Sequence, residues 1–253
     1  MNENLEVRLL KREEHTLYVD ISLGEESPAR PMTGIFIPEN YVPQRQVDLI
    51  LYLHGYKNID ICGPDESVSI DGYWSSAHWP LREETNRGGK NAILVAPTLG
   101  PKSQAGRLID ARGFEAYVTD ILTALRKYGP YQTATPDPEC GHFILACHSG
   151  GGEPMRKLAL GNHRYADYIR ECWGFDCLYG SSGAEQWAKW AEHHQNAKLF
   201  IHYLHTTEAQ SKDLKDKHCP NVFVQKSSAD NHCVVPREHW LKRMKASAVL
   251  RDK

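Results

Sequence analysis

Residues 141–152, GHFILACHSGGG, constrain this chain more than any other stretch: a run of strand-forming residues stops at Ser149 and three glycines, and a helix-forming segment follows. A strand that turns into a helix at a serine holds that serine in a strained backbone conformation. Its hydroxyl then projects past the sheet edge while neighbouring amides point at the same space. Glycines around it keep the tight turn free of clashes. The usual pattern of such a turn is Gly-x-Ser-x-Gly. Here it reads Cys147-His148-Ser149-Gly150-Gly151, with Gly151 in place and Cys147, a small residue, standing where the first glycine is expected. The competing reading is a glycine-rich turn whose serine merely caps the helix.

At 253 residues the chain suffices for a single α/β domain, residues 1–253, and no linker demands a second. Hydrophobic residues make up 41% and charged residues 25%, and the formal net charge of -2 comes from interspersed signs, so nothing points to disorder, nucleic acid or an anionic membrane surface. The N-terminal residues carry charges where a signal peptide needs an apolar core, and no stretch reaches transmembrane length. The expectation is a cytoplasmic protein, or a mature form whose leader has been removed. Seven cysteines, at 62, 140, 147, 172, 177, 219 and 233, include no CxxC pair. Several sit inside apolar strand patterns, which favours reduced, buried thiols over a disulfide framework or a zinc site.

Residues 5–10 and 16–21 read as short alternating strands joined by a charged turn at 11–14, with a third strand at 34–38, an antiparallel entry to a sheet. Residues 47–53 are nearly continuously apolar, as in a parallel strand covered on both faces, and end in His54-Gly55-Tyr56. Residues 62–76 and 98–106 read as Gly/Ser/Pro loops. Strands are expected at 91–96, 172–178, 199–204 and 222–224, and helices at 79–85, 114–128, 153–160, 184–195 and 236–249. This alternation predicts a mostly parallel central sheet of about eight strands with helices on both faces.

Such a sheet places its functional groups beyond the carboxyl ends of its strands. That rule gathers residues 54–57, Ser149, Asp176 and the loops before Glu208 and His232 along one edge. Serine is a weak nucleophile near neutral pH and needs a base, an acid to orient the base, and amides for the oxyanion. Asp176 lies near the end of an otherwise apolar strand, where a carboxylate is costly to bury without a partner such as an imidazole. Glu208, after the following strand, is its rival.

In these motifs the chain resembles α/β-hydrolase-fold serine hydrolases of the esterase and lipase type. His54-Gly55 follows an early buried strand, the serine turn comes about 95 residues later, and acid and histidine follow in the order Ser, Asp/Glu, His. The resemblance covers nearly the whole chain. It implies Ser149 as nucleophile, Asp176 as acid with Glu208 the alternative, since related folds place the acid after either strand, and His232 as base, the last in the loop between the final strand and final helix. It also implies an oxyanion hole from the amides of Gly150 and Tyr56, and a substrate surface at His54, Gly55, Tyr56, His148 and Tyr179. In some esterases and polyester hydrolases of this fold an aromatic residue at the Tyr56 position covers the bound group, and the resemblance suggests that here. Trp74, Trp79 and Tyr179 either line the same mouth or belong to the core.

The implied reaction is carboxylic ester hydrolysis through an acyl-enzyme, on a small-molecule or polymeric ester, with no metal or organic cofactor. The same triad serves peptidases, thioesterases and acyltransferases, and Cys147 also admits a catalytically silent hydrolase-fold binding protein. Other constellations fail on geometry. Cys147 and His148 are adjacent on a strand and face opposite ways. His193-His194 and His202 with His205 lack a convergent ligand set for zinc, and no phosphate-binding loop or dinucleotide fingerprint occurs.

Overall fold

Apolar runs with no polar alternation can be satisfied only where both faces of a strand are covered, and they form the middle of one sheet. The computed structural model describes residues 7–23, 32–57, 69–74, 79–133 and 136–253. β1 (Arg8–Glu13), β2 (Thr16–Asp20) and β3 (Met32–Phe36) enter antiparallel. β4 (Gln46–Leu53), β5 (Ala92–Pro97), β6 (Glu139–His148), β7 (Ile169–Phe175), β8 (Lys198–Tyr203) and β9 (Val222–Lys226) are mutually parallel. The order is β1-β2-β3-β5-β4-β6-β7-β8-β9, nine strands among the described residues rather than about eight, because β3 docks antiparallel on β5 and brings the whole N-terminal hairpin into the same sheet.

The helices are α1 (Asp71–Trp74), α2 (Leu81–Arg87), α3 (Ala111–Tyr128), α4 (Gly152–Ala159), α5 (Gly183–His193), α6 (Glu208–Asp216) and α7 (Val235–Ala246). The strand period of two divides the core between them. In β4, Val47, Leu49, Leu51 and Leu53 join one cluster with Phe114 of α3, Met155 of α4, Trp187 of α5 and Leu214 of α6. Ile50 and Tyr52 join the other, with Trp74 of α1, Leu81 of α2 and Trp240 of α7. A slip of one residue in β4 would exchange the two sets, so the register with β6 is set by packing on both faces.

Three details differ from expectation. The first hairpin turns at Glu14-His15, where His15 takes a positive φ of 59°, so β1 extends through Glu13. Within 62–76, residues 71–74 form a helical turn that buries Tyr73 and Trp74, while 58–68 and 75–78 lie outside the described residues. Helix α6 was not anticipated, since only Ser211 and Leu214 are buried along its polar sequence and no apolar stripe announces it.

The cysteine expectation is corrected in one place. Cys140, Cys147, Cys172 and Cys177 are buried free thiols, as the apolar strand patterns suggested, and Cys219 is also free. Cys233, however, is disulfide-bonded. Cys62 lies outside the described residues. Among the described residues no helix is long and apolar enough to cross a membrane.

Trp240 is fully buried, meets Tyr52 and Trp173 edge-on at 5.6 and 5.7 Å, and donates from Nε1 to Thr85 Oγ1 at 2.9 Å. Trp240→Ala leaves a cavity and removes the indole donor from Thr85 Oγ1, which keeps its own bond to the Leu81 carbonyl, and should destabilise the fold by about 3 to 5 kcal/mol in urea unfolding. A loss below about 1 kcal/mol would contradict this account of the α7 face.

Candidate active site

Four strand ends meet at one edge of the sheet. β6 stops at His148, and Ser149 takes a positive φ of 52° as the chain turns into α4. A non-glycine residue there is strained, and it persists because the surroundings hold it. Bare backbone brings the neighbours close. A Cβ on Gly55 would lie 2.8 Å from Ser149 Cβ, and one on Gly150 would meet the Tyr56 ring at 2.5 Å. The Tyr56 ring therefore lies over the turn, with its side chain half exposed. Cys147 fits in place of a glycine because its side chain points into the core beside Cys177, whose thiol has room because Gly174 carries no Cβ.

β7 ends one residue before Asp176, which also has a positive φ, 46°, and is fully buried. Its Oδ1 accepts from Leu204 N at 2.9 Å and from Thr207 Oγ1; its Oδ2 accepts from Thr206 Oγ1 at 3.2 Å and from His232 Nδ1 at 2.6 Å. Burial pushes this carboxyl up, but the hydrogen bonds from His232, Thr207 and Leu204 outweigh it and hold it down at about 2. A carboxylate only accepts, so His232 Nδ1 carries the proton, and in the neutral ring Nε2 keeps its lone pair. The turn carrying His232 is fixed by Asn231, whose Oδ1 accepts from Cys233 N at 3.0 Å.

Glu208, the rival acid, is the first residue of α6 and turns to Lys212 at 2.6 Å and Lys226 at 3.5 Å. Its segment supplies donors to Asp176 and no carboxylate to His232.

Two further histidines have other tasks. His54 is fully buried, accepts at Nε2 from Leu99 N (2.8 Å) and donates from Nδ1 to Gly55 O (2.7 Å), so it ties the loop after β4 to the loop after β5. Being donor and acceptor at once requires the neutral ring, and burial pushes its pKa down to about 3. His148 donates from Nε2 to the His232 carbonyl at 3.1 Å and packs on the His232 ring at 4.4 Å; burial, then the neighbouring His232, push it down to about 3.

A cavity of about 510 Å³ opens here, and Ser149, Gly150, Tyr56, His148, Tyr179 and His232 line it. The Tyr179 hydroxyl lies beside Ser149 and Thr206, and desolvation raises it to about 12. Trp79 lines the cavity as well, whereas Trp74 belongs to the core against Tyr18. His54, Gly55 and Asp176 stand behind the wall and do not line it. Tyr73, Glu153, Arg156, Leu178 and Trp187 also line it and were not anticipated. Of these only Arg156, two helical turns after Ser149, had a readable position, and nothing in the sequence singled it out. Among the described residues no cluster of His, Cys, Asp or Glu is arranged to hold a metal ion.

The sheet order, the strained serine after β6, the acid after β7 and the histidine after β9 are those of the α/β-hydrolase fold. No family model and no curated protein matches the chain by sequence. Solved structures match it in fold. An S-formylglutathione hydrolase from Agrobacterium tumefaciens has a TM-score of 0.56 at 9% identity, covering 95% of this chain and 98% of that one. A ferulic acid esterase has a TM-score of 0.53 at 14% identity, over 91% of this chain and 94% of the other. A thermostable esterase has a TM-score of 0.50 at 13% identity, over 92% of this chain, which spans 60% of that longer protein.

His54 and His148, held neutral, should show no ring-proton titration by NMR between about pH 8 and 5, where an ordinary imidazole turns over near 6.5. Because the unfolded chain takes up these protons and the folded one does not, their contribution to stability is full above about pH 6.5 and is lost as pH falls towards about 3. An inflection near neutrality in either ring would refute the assignment.

Proposed function

We propose that this protein is a serine esterase that cleaves carboxylic esters through Ser149, His232 and Asp176. The observation that carries the reading is the 2.6 Å hydrogen bond from His232 Nδ1 to the buried Asp176, at a cavity into which the strained Ser149 also faces. The α/β-hydrolase fold, shared with solved proteins named as esterases, supports it.

In this reading His232 Nε2 takes the Ser149 Oγ proton as the oxygen bonds to the ester carbonyl carbon, and Asp176 stabilises the imidazolium that forms. The carbonyl electron pair moves onto oxygen, where the Gly150 and Tyr56 amides stabilise it. Collapse restores the carbonyl and breaks the bond to the alcohol oxygen, which leaves with the proton held by His232. Water, deprotonated by the same nitrogen, then attacks the acyl-serine and returns the proton to Ser149. The Tyr56 ring, lying over Gly150, covers the bound group, and the His148 bond to the His232 carbonyl keeps the base in place. The residues supply every proton transfer, so the scheme uses no cofactor.

Hydrolysis of a p-nitrophenyl ester series from acetate to palmitate tests this. Ser149→Ala should keep the fold, lose turnover by about 10⁴ to 10⁶-fold and lose labelling by a fluorophosphonate probe. Asp176→Asn should lose about 10⁴-fold in kcat. Undiminished turnover in Ser149→Ala would reject the nucleophile, and a folded wild type that the probe does not label would favour a silent binding protein.

A further inference from the structure

Arg156 has an unusual place in the cavity. It lies on α4, seven residues after Ser149, which is about 10 Å of helix rise, and helical side chains lean back towards the N-terminus, here towards the serine. It lines the cavity together with Leu178 and Trp187. Its Nε is buried without a hydrogen-bond partner. Glu153, one turn earlier and mostly exposed, gives its carboxylate to Lys157 at 2.9 Å, and Arg156 is the smallest of the influences that lower its pKa.

The guanidinium packs instead on the start of α5. A Cβ at Gly183 would stand 2.9 Å from Nη1, and no side chain caps that helix end. A cation thus meets the positive end of a helix whose first-turn acid, Glu185, is paired with Lys189 at 3.4 Å and Lys217 at 3.5 Å. A buried guanidinium N–H without an acceptor is costly, and a planar oxyanion is the group whose geometry matches the guanidinium fork.

We propose that this end of the cavity is a carboxylate subsite, and that the substrate is an ester carrying a second, anionic group that Arg156 holds while the ester carbonyl lies at Ser149. This rests on the esterase reading above. Leu178 and Trp187 would flank the apolar spacer between the two groups.

The test compares matched esters on wild type, Arg156→Gln and Arg156→Lys. One set pairs p-nitrophenyl monoesters of dicarboxylic acids, from succinate to suberate, with neutral alkanoates of equal length. A second pairs para-acetoxybenzoate with phenyl acetate, which places the charge on the alcohol side. Wild type should favour the anionic member of at least one pair by about tenfold or more in kcat/KM, chiefly through KM. Arg156→Gln should abolish that ratio, and Arg156→Lys should retain part of it, since the charge remains and the fork is lost.

Equal use of both members of every pair by wild type, or a ratio unchanged in Arg156→Gln, would overturn the subsite while turnover of the neutral esters left the esterase reading standing. If wild type turned over no ester and the fluorophosphonate probe failed to label it, both would fall together. Circular dichroism melting checks the fold of each variant, and should Arg156→Gln not fold, the wild-type ratio and its reduction in Arg156→Lys decide the matter.

Discussion

The Asp176 carboxylate is the group on which the rest of the site depends. A charge this deeply buried is tolerable only when it is fully hydrogen-bonded, and its donors come from two segments distant in sequence: Leu204, Thr206 and Thr207 after β8, and His232 before α7. Satisfying one carboxylate therefore gathers the ends of β7, β8 and the loop after β9 around one point. It also fixes the His232 tautomer, with the proton on Nδ1.

Three histidines within one site show how environment divides a single chemistry. His54 and His148 are desolvated and held neutral, and each uses ring nitrogens as structural ties between loops. His232 is instead hydrogen-bonded through Nδ1 to the Asp176 carboxylate. A row of rings joins them: His54 stacks on Tyr73 at 4.4 Å, Tyr73 on Trp79 at 5.5 Å, Trp79 approaches His148 at 6.4 Å, and His148 packs on His232. The loop after β4 is thereby packed through a continuous row of rings against the turn before α7. Such rigid backing keeps a catalytic constellation in position better than loops alone.

The elements were legible because their patterns are local. Continuous apolar runs marked β4 to β8, the spacing from Phe114 to Tyr128 marked α3, and Ser149 with its glycines marked the turn between β6 and α4. Local signals failed where burial was slight or the partner distant. The α6 sequence buries too little to show a stripe, and the Cys233 disulfide depends on a cysteine elsewhere in the chain. Asp176 and Glu208 could not be separated by sequence alone, since both follow parallel strands. The chain resolves them by turning Glu208 to two lysines and surrounding Asp176 with donors.

The sequence by itself determined the alternation of strand and helix, the α/β-hydrolase order of its motifs, and the set of serine, histidine and carboxylates from which a site is assembled. These follow from hydrophobic period and turn chemistry, which act over a few residues. Only the tertiary structure decided which carboxylate meets His232, that His54 stands behind the cavity wall, and that Arg156 lines the cavity on which Ser149 opens. Those are contacts between segments far apart in the chain, and they depend on sheet order and side-chain direction, which no local pattern encodes.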